Sequence, residues 1–306
     1  MNATLAAPTL PPALPGKRQE LTGAAGRFSF YAQGPAGTTA RPLLLIHSIN
    51  AAASAAEVRP LYAHFMTERP VYAIDLPGYG FADRSDRAYT PRLMTDALHA
   101  MTAEIRARHG ALPIDAMALS LSCEFLARAA LEQPAAFRSL ALVSPTGFSG
   151  RTPRRGPPGS TRALPRLRRA FHSPWLDPRL FLLLTRPGVI AFFLRKTWGS
   201  RAVDGELLAY DALSTRQPGA QYAPFDFLSG GLFSGDINDL YERLTLPMWM
   251  VHGTRGDFVD YRLKTTVEGR PNWHIGVMPT GALPYFELPE RFVQDWQRFL
   301  DTLPDR

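Results

Sequence analysis

The stretch Ile114-Asp-Ala-Met-Ala-Leu-Ser120-Leu-Ser122-Cys123-Glu-Phe-Leu-Ala-Arg decides the fold. The residues before Ser120 form a mainly apolar run typical of a buried strand, and those after it have the pattern of a helix. Ser120 therefore falls where a strand turns into a helix, with small residues two positions to either side, Ala118 and Ser122. Small side chains permit a tight turn because neighbouring backbone passes close to their Cβ atoms. A helix N-cap serine is the alternative interpretation.

The same alternation of short apolar runs and longer helical patterns continues on both sides of this stretch. Buried strands are predicted at residues 43–47, 71–75, 114–119, 140–144, 248–252 and 273–278, and helices at 55–67, 90–108, 121–132, 261–268 and 289–300. An antiparallel hairpin of residues 20–22 and 27–32 precedes them. The pattern predicts an α/β fold with a mostly parallel, twisted sheet of about eight strands and helices on both faces.

The strand rhythm stops between residues 147 and 245, where a Pro-, Gly- and Arg-rich loop leads into apolar helical segments. This change predicts a helical cap or lid, inserted after the sixth strand into a core of residues 17–146 and 246–306. A helical pair that packs its own small core is the alternative, and it is compatible with a lid. Residues 1–16 contain Pro11, Pro12 and Pro15, which oppose regular structure, and we expect a flexible leader there.

The length and the cysteine content limit the classes of protein to which this chain can belong. A chain of 306 residues, 45% of them hydrophobic, is long enough to bury a sizeable core. The single cysteine, Cys123, excludes an intrachain disulfide. Together with the lack of a secretion signal or a long apolar run, it predicts a soluble, cytoplasmic protein. For Cys123 itself, a small buried hydrophobic residue is favoured over a reactive thiol at a helix N-terminus.

Positive charge is concentrated in one part of the chain. The formal net charge is +7, and residues 133–176 contain no acidic residue. Eight arginines lie there: Arg138, Arg151, Arg154, Arg155, Arg162, Arg166, Arg168 and Arg169. With the apolar stretch 180–194, this basic insert predicts weak peripheral contact with a membrane, the alternative being a solvated, partly mobile insert. Its aromatic residues are scattered and no nucleic-acid motif is present, so a nucleic-acid-binding protein is excluded.

Three further segments accompany the Ser120 turn in a fixed order. They are Leu43-Leu-Leu-Ile-His47-Ser48-Ile49-Asn50, Asp75-Leu-Pro-Gly78-Tyr-Gly80 and Gly281-Ala282-Leu283-Pro284-Tyr-Phe-Glu-Leu-Pro289. With the Ser120 turn, which reads A-x-S-x-S in place of G-x-S-x-G, they resemble the α/β-hydrolase fold superfamily. The resemblance runs from about residue 27 to 300, and the insert matches only in position.

The resemblance implies a serine hydrolase that acts on a small or apolar ester-type substrate. It implies Ser120 as the nucleophile and the backbone N–H groups of Leu121 and Ile49 as oxyanion donors. The acid would be Asp257, shifted by one residue from the usual spacing, with Asp260 as runner-up. For each aspartate, a loop or helix-cap carboxylate is the alternative.

The chain departs from the family at the general base, because Ala282 stands where the family keeps its histidine. A methyl group accepts no proton, so the usual mechanism is unavailable there. His47 is the best placed of the other histidines, although a structural histidine bonded to loop backbone is favoured for it. Asn50 is a further accessory candidate.

These features predict a hydrolase-like protein with a non-standard or absent general base. The alternatives are a catalytically impaired ligand-binding protein and a non-hydrolytic enzyme, such as a lyase or isomerase, on the same scaffold. The expected partner is a small molecule, and the oligomeric state stays open. No cofactor is expected, and no metal, because no pair of histidines has ligand spacing with a carboxylate.

Overall fold

The computed structural model describes residues 7–173 and 177–304. Its strands are β1 (Arg18–Gly23), β2 (Gly26–Gln33), β3 (Leu43–Ile46), β4 (Val71–Asp75), β5 (Ile114–Leu119), β6 (Phe137–Val143), β7 (Met248–Gly253) and β8 (Trp273–Met278). Its helices are α1 (Arg59–Phe65), α2 (Pro91–His109), α3 (Ser122–Glu132), α4 (Pro165–Phe171), α5 (Asp177–Leu184), α6 (Pro187–Trp198), α7 (Gly205–Ser214), α8 (Tyr222–Leu228), α9 (Ile237–Arg243), α10 (Pro284–Glu287) and α11 (Pro289–Asp301).

The strands form one sheet in the order β1-β2-β4-β3-β5-β6-β7-β8. Strand β2 pairs antiparallel with β1 and β4, and every other pairing is parallel. The predicted α/β fold with a mostly parallel, eight-stranded sheet is therefore confirmed. Because parallel strands end at the same edge, the loops after β3, β5, β6, β7 and β8 come together at one edge of the sheet.

Apolar clusters cover both faces of the sheet. On one face, Met101 of α2 and Phe125 of α3 belong to a buried cluster with Ile46 of β3. On the other, Phe65 of α1 and Trp296 of α11 belong to a second cluster with strand residues. This division into two layers of helices is the arrangement that a parallel sheet requires to bury both of its faces.

Two predicted helices are shorter and tighter than expected. Residues 55–67 form a 3₁₀ turn, Ala55–Val58, followed by α1, and residues 261–268 contain only the 3₁₀ turn Arg262–Thr266. Pro60 accounts for the first difference, because proline lacks an N–H group and is tolerated at the start of an α-helix but not inside one.

The predicted cap, residues 147–245, contributes α4 to α9, and residues 174–176 of it lie outside the described residues. Its last helix, α9, packs against α3 of the sheet layer. Phe148 stacks on Tyr241 of α9 with ring centroids 4.8 Å apart, and both belong to the core cluster. The helices α4 to α8 of the insert lie between these two residues in the chain.

The predicted flexible leader, residues 1–16, packs against the body of the protein in its described part, residues 7–16. Leu10 and Leu14 are buried in the cluster that contains Tyr31. The N–H of Ala13 donates to the Tyr31 hydroxyl at 3.0 Å, and the Tyr210 hydroxyl donates to the Pro11 carbonyl at 3.1 Å. In its described part the leader is thus packed through its apolar side chains, and its flexibility stays a prediction. Residues 1–6 lie outside the described residues.

Candidate active site

Ser120 lies on the turn between β5 and α3 with φ +57°. Non-glycine residues rarely adopt this left-handed region, and a residue held there stores strain. Two hydrogen bonds hold the turn: the Ser120 N–H donates to the Val143 carbonyl at 2.8 Å, and the Cys123 N–H donates to the Ser120 carbonyl at 3.2 Å. A strained serine between a strand and a helix has the geometry of a nucleophile elbow.

The residues that replace the elbow glycines fit the turn. Ala118 and Ser122 are completely buried, and the Ser122 hydroxyl donates to the His47 carbonyl on the neighbouring strand at 2.6 Å. The Cys123 thiol donates to the Ala118 carbonyl at 3.1 Å, and burial raises the pKa of that thiol well above its usual range. Cys123 is therefore a small buried residue and not a reactive nucleophile.

The Ser120 hydroxyl has no hydrogen-bond partner among residues 7–173 and 177–304, and its side chain is only partly covered. A serine hydroxyl is a weak nucleophile until a base within hydrogen-bond reach removes its proton. In this structure Ser120 lies on the expected turn, but no side chain of the described residues is within hydrogen-bond distance of its hydroxyl.

The two predicted oxyanion donors, Ile49 and Leu121, follow β3 and Ser120 respectively. Both residues are buried, and neither backbone N–H donates to an acceptor within the described parts of the chain. Buried N–H groups without a partner are uncommon in folded proteins. Free donors of this kind, one from each loop, are the components from which an oxyanion hole is built.

The loop that carries Ile49 is held by Glu57, a residue that the sequence did not single out. Its carboxylate accepts hydrogen bonds from the Ser48 N–H at 2.7 Å, the Ser48 hydroxyl at 3.0 Å and the Asn50 side-chain amide at 2.6 Å. The Asn50 carbonyl oxygen in turn accepts from the Ala52 N–H at 2.7 Å. Asn50, a predicted accessory residue, thus has its amide engaged within this loop, and Glu57 fixes the loop's conformation.

His47, the predicted accessory base, has both ring nitrogens bonded to backbone. Its Nδ1–H donates to the Ser48 carbonyl at 2.6 Å, and its Nε2 accepts from the Leu76 N–H at 3.0 Å. The second bond occupies the lone pair that a base would use. His47 is completely buried and does not contact Ser120 within hydrogen-bond distance, so its geometry is that of the structural histidine favoured as the alternative.

His252 lies next to the last residue of β7 at the same edge, and it also makes no hydrogen bond with Ser120. Its Nδ1–H donates to the Gly253 carbonyl at 3.0 Å, and its ring stacks on Tyr261 with centroids 3.9 Å apart. Its Nε2 is buried and has no partner among the described residues. Burial lowers the pKa of His252, so the neutral ring is favoured near neutral pH.

The structure places both candidate acids on the surface. Asp257 is exposed, and its carboxylate lies 3.1 Å from the Lys196 ammonium of α6. Asp260 accepts from the backbone N–H groups of Gly150 and Arg262, at 2.9 and 3.2 Å. These hydrogen bonds lower the pKa of Asp260. Neither carboxylate contacts a histidine, and Asp260 has the bonding pattern of the predicted alternative, a loop carboxylate.

Ala282, the predicted position of the family's histidine, is buried, and its backbone lies against the end of α6. Its N–H donates to the Thr197 carbonyl at 3.0 Å, and its carbonyl accepts from the Ser144 hydroxyl at 2.8 Å. A Cβ built on the preceding Gly281 would lie only 2.5 Å from the backbone of Trp198. Cap backbone therefore passes directly over the loop that would present a catalytic base.

Helix α7 brings a second buried acid, Asp211, toward the loop held by Glu57. Burial and the neighbouring Glu57 raise the pKa of Asp211 well above its usual range, and its Oδ1 has no partner among the described residues. The signal was present in the sequence, since Leu207, Tyr210, Asp211 and Ser214 share one face of α7 at helical spacing. An aspartate on the buried face of a helix is unusual, because aspartates are rarely buried without a partner for their charge.

No cluster of histidine, cysteine, aspartate or glutamate in the described ranges has the composition and geometry to hold a metal ion. The polar groups that gather at this edge are hydroxyls, backbone N–H groups and the buried acids Glu57 and Asp211.

Comparisons with known proteins agree on the architecture. The sequence model of the alpha/beta hydrolase family matches residues 43–295. A probable hydrolytic enzyme from Pseudomonas aeruginosa has a similar structure, with 19% identity, a TM-score of 0.71 and coverage of 94% of this chain and 95% of that one. A thermophilic esterase from Thermogutta terrifontis is also similar, with 19% identity and a TM-score of 0.68 over 94% of this chain and 99% of that one.

A carboxylesterase from Bacillus subtilis is similar at 17% identity and a TM-score of 0.66, over 93% of this chain and 91% of that one. No curated protein matches the sequence. At these identities the structural similarities concern the fold.

Proposed function

This chain belongs to the α/β hydrolase family, and on that premise we propose that it binds a small or apolar ester-type ligand at Ser120 without a triad-type general base. The observation that carries the proposal is the environment of Ser120. Its hydroxyl has no partner among the described residues, on a turn strained to φ +57°, while the base position holds Ala282.

The unpaired N–H groups of Ile49 and Leu121 support binding of a carbonyl group. A ligand carbonyl that accepts from them would satisfy donors that otherwise stay buried without partners, which is energetically costly. Two similar structures, an esterase and a carboxylesterase, suggest the ester as the class of ligand to test first.

The same geometry argues against efficient turnover. His47 has its Nε2 lone pair bonded to the Leu76 N–H, and Asp257 faces Lys196. When one triad member is lost, serine hydrolases retain only about 10³–10⁴-fold acceleration over water, from the oxyanion hole and binding. We therefore propose a ligand-binding protein, or an impaired enzyme, on a hydrolase scaffold.

The test combines reactivity and binding. The parent and Ser120→Ala are treated with a fluorophosphonate probe and with p-nitrophenyl esters of increasing chain length. We expect no labelling of Ser120 and no hydrolysis above the Ser120→Ala background, together with an ester-dependent rise in Tm for at least one chain length. Asp257→Asn serves as a matched control and should leave that rise unchanged, since its carboxylate is exposed.

Labelling of Ser120 with turnover that disappears in Ser120→Ala would establish a working hydrolase with an unorthodox base. The absence of any ester-dependent change in Tm across the series would overturn the binding proposal itself.

We also propose a cellular compartment for this protein. A chain whose single thiol, Cys123, can form no intrachain disulfide is usual for a reducing compartment, and we propose the cytoplasm. Fractionation of cells that express the full chain checks this, and recovery in a periplasmic or secreted fraction would contradict it.

A further inference from the structure

The basic insert is partly neutralised in the fold. Arg138 pairs with Asp115, Arg155 pairs with Asp239 and Glu242, and Arg168 pairs with Asp226. These acids lie far away in the sequence, so the run of arginines gave no sign of them. The predicted membrane contact must therefore come from cations that have no acidic partner in the fold.

Further unpaired positive charge lies on the helical hairpin α5–α6 and on the residues that follow it. Residues 178–203 contain no acidic residue and five cations, all exposed: Arg179, Arg186, Arg195, Lys196 and Arg201. Lys196 pairs with Asp257, whereas the four arginines form no ion pair with any described residue. A surface of this kind attracts an anionic partner.

The same hairpin exposes large apolar side chains. Leu182 and Leu183 of α5 are 50% and 48% exposed, and Phe192 and Phe193 of α6 are 52% and 58% exposed. Arg216 fixes the turn between the helices by donating to the hydroxyl and the carbonyl of Thr185, both at 2.9 Å. The exposed side chains therefore stand on a fixed support, and several large exposed apolar side chains on one hairpin indicate an interaction site.

A neighbouring loop adds to this surface. Phe258 and Val259 are 59% and 42% exposed in the loop after β7. The N–H of Asp257, next to them, donates to the Lys196 carbonyl at 3.1 Å, which joins the loop to the last turn of α6. We call Leu182, Leu183, Phe192, Phe193 and Phe258 the apolar face.

We propose that this apolar face docks on an anionic membrane surface. Apolar side chains on amphipathic helices insert at the boundary between headgroups and acyl chains, while flanking arginines bind anionic headgroups. No helix within residues 7–173 and 177–304 is long and apolar enough to cross a bilayer, so the contact is peripheral. The inference does not depend on the proposed ligand at Ser120.

The positive charge around the apolar face favours a membrane over a second copy of the chain as its partner. A symmetric dimer would place the same patch on both sides of the interface, with the four unpaired arginines of one copy facing those of the other. Like charges brought together in this way oppose association. An anionic lipid surface instead supplies the opposite charge and an apolar interior.

The experiment is co-sedimentation of the full chain with vesicles of pure phosphatidylcholine and with vesicles that also contain phosphatidylglycerol. We expect binding to the anionic vesicles only, with loss at high salt. Arg186→Gln/Arg195→Gln should lower the bound-to-free ratio by roughly 30-fold, since each arginine at an anionic surface contributes about 1 kcal/mol. Phe192→Ser/Phe193→Ser should lower it by roughly tenfold or more, because burial of apolar area is lost.

Matched controls are Leu112→Ser, at a side chain 40% exposed before β5, and Arg243→Gln, at the exposed end of α9 before β7. Both lie at the opposite end of the sheet and should leave vesicle binding unchanged. Circular dichroism checks that each variant is folded. Equal binding to neutral vesicles, or equal losses in the controls, would overturn the proposal, as would a dimer in solution that only the Phe192/Phe193 variant dissociates.

Discussion

The backbone N–H of Ala282 donates a 3.0 Å hydrogen bond to the carbonyl of Thr197, in the last turn of cap helix α6. This bond joins the loop after β8, where the family carries its base, to the cap. The backbone of Ala282 is therefore held against the last turn of α6, and its side chain is only 7% exposed. The loop that has alanine in place of the expected histidine is thus bonded directly to α6.

The first prediction concerns restoring the histidine. Ala282→His introduces a bulky ring at a buried position, only 7% exposed, and overpacking of a well-filled site costs about 1–3 kcal/mol. We expect a lower free energy of unfolding and no Ser120-dependent esterase activity, because Asp257 faces Lys196 and cannot orient the new ring. Urea unfolding and p-nitrophenyl acetate hydrolysis measure the two effects, with Ala282→Ser as the size control. A variant as stable as the parent that turns over ester would contradict this account of the site.

The second prediction concerns the loop that carries Ile49. Glu57→Gln replaces one acceptor oxygen with an amide that faces the Ser48 and Asn50 donors, so at least one buried donor loses its partner. An unsatisfied buried group costs about 1–3 kcal/mol, and we expect a loss of stability in that range in urea unfolding. The ester-dependent rise in Tm should disappear, because Ile49 is no longer held. Glu206→Gln is the control, since that side chain is 83% exposed, and it should match the parent in both measurements.

The elements near Ser120 could be predicted because their signals are local. The apolar run of β5, the small residues around Ser120 and the helical pattern of α3 are adjacent in the chain, and each indicates its own structure. The glycine-rich turn after β4 is local in the same sense. Such patterns depend on backbone geometry and burial, which neighbouring residues largely determine.

The contacts that shape the site could not be predicted because they join distant segments. Glu57 reads as one polar residue in a helical pattern, and only the folded loop brings Ser48 and Asn50 to its carboxylate. Nothing near Ala282 indicates that the backbone of Trp198 lies over it. The exposed position of Asp257 likewise depends on how its loop meets α6. The motif could identify this residue, but not the direction in which its side chain points.

The third prediction separates two glycines that share a positive φ. Gly80 has φ +50°, and a Cβ there would lie 2.0 Å from Cγ of Asp75, whereas Gly110 has φ +71° and open space around its Cβ position. Gly80→Ala should combine backbone strain with a steric clash and lower the free energy of unfolding by roughly 3 kcal/mol or more. Gly110→Ala should cost only the backbone strain, about 1–3 kcal/mol. Thermal unfolding compares the two, and equal losses would show that the contact with Asp75 is unimportant.

The fourth prediction concerns pH. Glu124, one helical turn after Ser120, is buried and accepts from the Thr146 hydroxyl at 2.5 Å and the Ser234 N–H at 2.7 Å. Burial raises the pKa of its carboxyl to about 7. The folded state therefore holds a proton that the unfolded chain releases at lower pH, so stability falls as pH rises from about 4.5 toward 7, by up to roughly 3 kcal/mol, and stays low above that range.

Glu124→Gln keeps an oxygen to accept one hydrogen bond and carries no charge. The variant should lose less stability than the parent between pH 5 and pH 8, since no buried carboxylate forms. Urea unfolding at a series of pH values measures the difference. Glu290→Gln, at an exposed position on α11, should follow the parent's profile. If the parent and Glu124→Gln had parallel profiles across this range, Glu124 would be ionised in the fold and the cost of its burial would be offset by its partners.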